Sequence, residues 1–291
     1  VFREVLYYFR MSVIRVIGFV SLCLIGGHSG AEDLNQLLVN KIGAMPQGGV
    51  YAAYQRELPE SQRFDDLYET VDELGRSLQV GLNGKLKVEP GKASGYSFCS
   101  SATYLLFCDV IEDLQANGSL KFPKQLNREL ADVGGSREVI HGEFDGVGLF
   151  GHWNANGPGT ARLFERLDLG TNFESFSEAK AGDFLKIFWN DKIGKGERGH
   201  LVVYLGAKPD GSAIQVWSSN QNNEDGSHGY GTMWIDRDRI HRAVFSRLEK
   251  PENLVRWLDF SEAEKTCDYL VGILKNPSTL EEMRQVIGLS E

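Results

Sequence analysis

Wound as a helix, the segment from Ser100 to Leu114 is apolar around nearly its whole circumference. Ala102, Leu105, Leu106, Phe107, Cys108, Val110 and Ile111 leave no broad polar face. Such a helix is stable in water only when other elements cover it on every side. The chain must therefore supply covering layers. Phe184-Leu185-Lys186-Ile187-Phe188-Trp189, His200 to Leu205 and Ala213 to Trp217 read as strands. Lys208-Pro209-Asp210-Gly211 turns the second of these into the third as a hairpin.

Elsewhere the pattern is helical or irregular. Residues 32–95 read as a helical N-terminal region. In it Phe64, Leu67, Tyr68, Val71 and Leu74 recur at helical spacing, Gly75 weakens the helix near its end, and Pro90 to Gly95 form a loop. Residues 119–181 read as irregular: Val133-Gly134-Gly135 is a turn, Gly142 to Gly159 is dense in glycine, and a short helix covers Thr160 to Leu167. Residues 249–291 return to helix, with Ser261 and Glu264 as a capping box and Asn276-Pro277 as a stop.

Met11 to Arg15 is a short basic lead, Val16 to Ile25 is an apolar run, and Ser29 and Ala31 are small residues suited to cleavage. Residues 1–31 are thus expected to be a signal peptide, with the mature chain starting near Glu32 outside the cytoplasm, periplasmic or secreted. The run is short for a membrane span, and no cysteine follows the cleavage point, so no stable membrane anchor is expected. With 42% hydrophobic and 24% charged residues the mature chain should be globular. A net charge of −9 argues against nucleic acid as a partner.

Cleavage leaves Cys99, Cys108 and Cys267, which is no disulfide framework. Nine residues apart on one helix, Cys99 and Cys108 stand roughly 13 Å apart along its axis and cannot bridge. A Cys108–Cys267 pairing stays open. Cys99 enters its helix from a loop of small hydroxyl residues. There the unpaired backbone N–H groups and the helix dipole favour a thiolate. Cys108, among Leu and Phe, reads as structural.

His200 heads an apolar strand in which Leu201, Val203 and Leu205 share one face, and His200, Val202 and Tyr204 the other. A catalytic imidazole needs a partner on its second nitrogen. Asn220, just after the third strand, is the candidate, with Ser218 in reserve. Cysteine, histidine, then amide is the order of papain-like cysteine hydrolases. A metal hydrolase would have to use His141, Glu143, Asp145 and His152, but no HxxxH or HExxH spacing joins them, so neither metal nor cofactor is expected.

Three segments resemble the NlpC/P60 and CHAP group of cysteine amidases and peptidases. Ser97-Phe98-Cys99-Ser100-Ser101 with its apolar helix resembles the nucleophile segment. Ala181-Gly182-Asp183-Phe184-Leu185 with Phe188-Trp189 resembles the group's "PGD" and apolar strand, and Gly199 to Gly206 its "GHVGIYLG" strand. Ile214 to Gln221 is similar to the CHAP segment whose Glu and Asn support the histidine. The resemblance implies an α+β, papain-like fold in which the nucleophile helix packs on an antiparallel sheet. It places the catalytic domain at 96–248, with an insertion at about 119–181.

It also implies amide hydrolysis through a thioester, with a cell-wall peptide as substrate. Cys99 would be the nucleophile, His200 the base, and Asn220 or Ser218 the orienting group. The Cys99 backbone N–H would hold the oxyanion, seconded by Tyr96 or Ser97. Tyr96, Trp153 and Asn154 are candidates for substrate contact. The chain departs from the pattern at Ser218, where CHAP members carry an acid, at Phe98, where the group commonly has Asp, and in the 82 residues between Cys99 and Gly182. Two rival functions share these features: a catalytically silent binding module and a transglutaminase-like acyltransferase.

Overall fold

The computed structural model describes residues 33–53, 57–134, 146–265 and 277–289. The N-terminal part holds α1 (Leu34–Ile42), β1 (Val50–Tyr51), α2 (Asp65–Ser77), β2 (Leu78–Val80), β3 (Leu86–Val88) and β4 (Tyr96–Ser97). Then come α3 (Cys99–Ala116), α4 (Lys124–Ala131), α5 (Gly148–Asn154) and α6 (Gly159–Leu167). Strands β5 (Gly170–Phe173), β6 (Phe184–Phe188), β7 (Ile193–Gly194), β8 (Gly199–Ala207), β9 (Ala213–Asn220), β10 (Gly229–Asp236) and β11 (Arg242–Leu248) follow. Helix α7 (Glu262–Lys265), β12 (Pro277–Ser278) and α8 (Leu280–Val286) come last.

The class is α+β. Six strands form an antiparallel sheet in the order β10-β9-β8-β6-β11-β5. Alternation along the strands sends side chains to two cores. Phe184, Leu201, Val203 and Trp217 join Ala102, Leu105, Leu106 and Phe107 of α3 in one buried cluster. Leu185, Ile187, Val202, Tyr204, Val216 and Phe245 form a second cluster. Helix α3 is enclosed as its composition demands: even Asp109 and Gln115 are buried. Lys41 of α1 answers the charge, 3.6 Å from Asp109 and 3.0 Å from Asp113.

Asp183 ties the layers together. Its buried carboxylate accepts from Asn35 Nδ2 of α1 at 2.8 Å, from Lys180 N at 2.7 Å, and from Arg247 Nε and Nη2 of β11 at 2.9 and 2.8 Å. The preceding Gly182 has φ +98°, and a Cβ there would collide with the Asn35 backbone. The Gly182-Asp183 pair is thus a structural joint.

Several elements differ from the sequence reading. The region 32–95 is not wholly helical, since it contains β1 to β3. The stretch expected to be irregular carries α4, α5 and β5. Helix α4 shows only two large apolar residues, Leu126 and Leu130, beside Ala131, too few for a pattern; burial and the bond from Tyr104 Oη to Leu130 O at 2.9 Å hold it. Helix α5 is rich in glycine, a poor helix former, yet packing of Leu149, Phe150 and Trp153 overrides that preference. Strands β10 and β11 also went unread. Near the C-terminus 251–259 winds as 3-10 turns, while Ser261 and Glu264 do form their capping box. The expected leader, Cys267 and Asn276 lie outside the described residues. Cys99 and Cys108 are free thiols. Among the described residues no helix is long and apolar enough to cross a membrane.

His152 of α5 is buried against Trp257, and its Nε2 lies 2.9 Å from Glu264 O. Burial above all, with Arg166 and Arg162 nearby, lowers its pKa from 6.5 to about 4. The unfolded chain therefore takes up this proton more readily than the fold does. Stability from the neutral imidazole is complete above about 6.5 and is lost as pH falls towards about 4, by up to about 3 kcal/mol. Urea-unfolding midpoints measured across that window should fall in the wild type and fall less in His152→Gln.

Candidate active site

Two turns of chemistry place Cys99. Glu73 of α2 accepts at Oε2 from the N–H groups of Gly95 at 2.9 Å and Tyr96 at 3.0 Å, which fixes the approaching loop. Strand β4 then pairs in parallel with β1, Tyr51 opposite Ser97. Ser101 Oγ accepts from Phe98 N at 3.0 Å and donates to Phe98 O at 2.8 Å, so the helix starts at Cys99. Ser97 Oγ donates to Ser219 Oγ at 2.8 Å, which links the nucleophile loop directly to β9.

The half-buried Cys99 thiol meets His200. Burial alone would raise its pKa. The hydrogen bond and charge of His200, the Leu201 N–H and the Lys186 ammonium outweigh burial and bring the thiol from 9.0 to about 7. His200 Nε2 lies 2.9 Å from Asn220 Oδ1. The Asn220 amide cannot turn round without loss, because its Nδ2 donates to Asn223 Oδ1 at 2.8 Å and to Gly231 O at 2.9 Å. Its oxygen therefore faces the imidazole and takes the Nε2 proton, leaving the Nδ1 lone pair for the thiol. Trp189 stacks on the ring, with centroids 6.4 Å apart.

The other sequence candidates are placed differently. Ser218 does not hold His200: its Oγ donates to Leu201 O at 2.8 Å, with Cys99 O at 3.4 Å. The Tyr96 N–H is spent on Glu73, so it offers nothing to an oxyanion. Trp153 is 1% exposed, with its indole N–H donating to Thr103 Oγ1 at 3.0 Å. It backs the site as a core residue and has no polar group left to meet a substrate. Asn154 does reach the site. It is hydrogen-bonded to Ser100 Oγ and lines a cavity of about 90 Å³ beside Cys99, with Asn156, Thr160 and Lys186. His141, Glu143 and Asp145 lie outside the described residues, and the Nε2 of His152 faces the Glu264 carbonyl instead of an open site.

Two residues at the site escaped the sequence reading. Lys186 sits 2.7 Å from Glu197 Oε1, a carboxylate that also accepts from Gly157 N and, at 3.0 Å, from Gly194 N. Gly199 admits this cation, since a Cβ there would stand 2.7 Å from Lys186 Nζ. The signal was visible: a charged residue at the centre of an otherwise apolar strand. Tyr51 left no such trace. Its phenol pKa is pushed up by burial and then by the charge of Cys99, which keeps the hydroxyl protonated.

No protein-family model, no curated protein and no solved structure matches the chain.

Proposed function

We propose that the protein is a papain-like cysteine amidase, akin to the NlpC/P60 and CHAP group, that is exported and cleaves amide bonds in cell-wall peptides. One observation carries the reading: His200, its Nε2 held by a locked Asn220 amide, acts on the Cys99 thiol strongly enough to bring its pKa down to about 7. Cys99 attacks the amide carbonyl as a thiolate and His200 receives its proton. The tetrahedral oxyanion is met by the Cys99 backbone N–H at the start of α3 and by the Tyr51 hydroxyl. His200 then gives its proton to the departing amine, leaving a thioester. Water, deprotonated by the same imidazole, releases the acid. Asn220 keeps the imidazole in the productive tautomer, and the Asn154 cavity receives the substrate's small groups.

Two experiments test this reading. Purified protein incubated with peptidoglycan fragments should give new amine and carboxylate termini by mass spectrometry. Transfer of the acyl group to an added amine in place of water would instead make the protein an acyltransferase. Absence of any cleavage across several wall chemistries would remove the cell-wall assignment.

The second experiment follows the thiol. Iodoacetamide should label Cys99 along a pH profile with its midpoint near 7, because only the thiolate reacts. In His200→Ala the midpoint should rise towards 9.0, the unperturbed value. Cys108 should stay unlabelled in the folded protein, since burial pushes its thiol far upward. Labelling of Cys108 before Cys99 would overturn the assignment of the nucleophile.

A further inference from the structure

A second cavity, of about 290 Å³, opens where β11 nears the sheet edge, and cationic side chains converge on it from three elements. Arg237 comes from the turn after β10, His241 and Arg242 from the start of β11, and Arg284 from α8. Glu174 is the one acid among the described lining residues. It is already engaged, with Oε2 accepting from Arg284 Nε at 3.0 Å and Nη2 at 2.6 Å.

Among the described residues Arg237 and Arg242 have no such carboxylate partner. Arg237 packs its guanidinium 3.6 Å from the centroid of Phe176. Arg242 lies 5.9 Å from the centroid of Phe188, and its buried Nη1 has no hydrogen-bond acceptor among the described residues. A buried guanidinium N–H without an acceptor is costly, and native proteins seldom leave one unfilled. Burial destabilises the Arg242 cation; Glu174 opposes this, Arg284 adds to it, and Asp191 gives a smaller help, so that burial prevails. The local charge is positive in a chain whose net charge is −9. Stacking on rings and the Glu174 pair hold these guanidiniums in place, so little entropy is lost when they close on a ligand.

We propose that this cavity binds a phosphoryl oxyanion, gripped by Arg242 and Arg237, with Arg284 and His241 at its rim. Two guanidiniums with no carboxylate hydrogen-bonded to them among the described residues match a dianion with several acceptor oxygens, whereas a carboxylate brings one charge and one planar edge. The volume leaves room for the molecule that bears the group. The position also suits a ligand extending from the catalytic centre. Ala243, next to Arg242, lies opposite Ile187, which lies opposite His200. The two sites are therefore two strands apart at one end of the sheet, roughly 10 Å. Trp189, stacked on His200, stands between them with Arg239 5.9 Å from its ring.

Calorimetric titration of the full chain with inorganic phosphate, at ionic strength held constant with chloride, tests the site. Saturable binding is expected, weakened about tenfold or more in Arg242→Gln and in Arg237→Gln by loss of a charge-assisted pair. Glutamate, as the carboxylate control, should bind far more weakly. Glycerol 3-phosphate separates the sources: tighter binding than inorganic phosphate marks a group carried on a larger molecule, and weaker binding marks free phosphate. Circular dichroism checks each variant. If Arg242→Gln fails to fold, Arg237→Gln decides alone, because that side chain lies over a ring at the surface. No saturable phosphate binding, undiminished binding in the folded variants, or glutamate binding equal to phosphate would overturn the proposal. None of these outcomes bears on Cys99, whose labelling is read separately.

Discussion

Alanine at Cys99 is expected to abolish cleavage of wall peptides, alanine at His200 to lower kcat by about 10³-fold or more, and alanine at Asn220 by about 10²-fold. The ranking follows from what each group supplies. Without the Cys99 sulfur no acyl-enzyme forms. Without His200 the thiol loses the bond and charge that offset its burial, and the leaving amine loses its proton donor. Without Asn220 the imidazole stays within reach of the sulfur but its tautomer is no longer dictated. Rates on purified peptidoglycan fragments, with thermal melts to separate activity from unfolding, would check the order. A larger loss in Ser218→Ala than in Asn220→Ala would return the orienting role to Ser218, against the bond that hydroxyl makes to Leu201 O.

Trp153→Ala should destabilise the fold by about 3–5 kcal/mol, the range for removing a large buried aromatic. The indole lies against Phe107 at 4.8 Å between centroids, Phe184 at 5.0 Å, Tyr104 at 5.6 Å and Phe164 at 6.2 Å. It thus joins α5, α3, α6 and β6 in one aromatic knot, and its N–H would leave Thr103 unanswered. Trp153→Phe should recover part of the loss, because a smaller ring fills some of the cavity. Denaturant midpoints with unchanged slopes would measure both. A small effect on stability with a large rise in KM would make Trp153 a substrate contact after all.

The layout of α3 and of strands β6, β8 and β9 was legible because their burial is written in composition and spacing. Cys99 and His200 were legible for a related reason: each is a reactive residue at the boundary of such an element. What sequence hides is reach across the fold. Nothing in Asp65 to Ser77 says that Glu73 will hold the loop before Cys99, and nothing in Gly49-Val50-Tyr51 says that a buried phenol will feel the charge of that cysteine. Gly148 to Asn154 looks like loop because glycine disfavours helix locally, whereas the Trp153 packing that reverses the balance is assembled from three other elements, α3, α6 and β6. Trp153 and Ser218 went astray by the same route. A tryptophan in a glycine-rich stretch resembles a binding residue until the core it fills is known. A serine beside a histidine strand resembles an orienting group until its hydroxyl is seen to serve a carbonyl.

The grip of Glu73 on Gly95 and Tyr96 bears on the modularity of the chain. A catalytic segment drawn from residue 96 to 248 would contain the whole Cys99, His200 and Asn220 chain yet would lack α2, β1 and Tyr51. Its nucleophile loop would lose the carboxylate that receives its two N–H groups and the strand whose Val50 and Ala52 donate to Gly95 O and Ser97 O. The reactive parts and the frame that aims them are thus spread over different stretches of the chain. A chain cut back to this motif would lack the frame that holds the loop before Cys99.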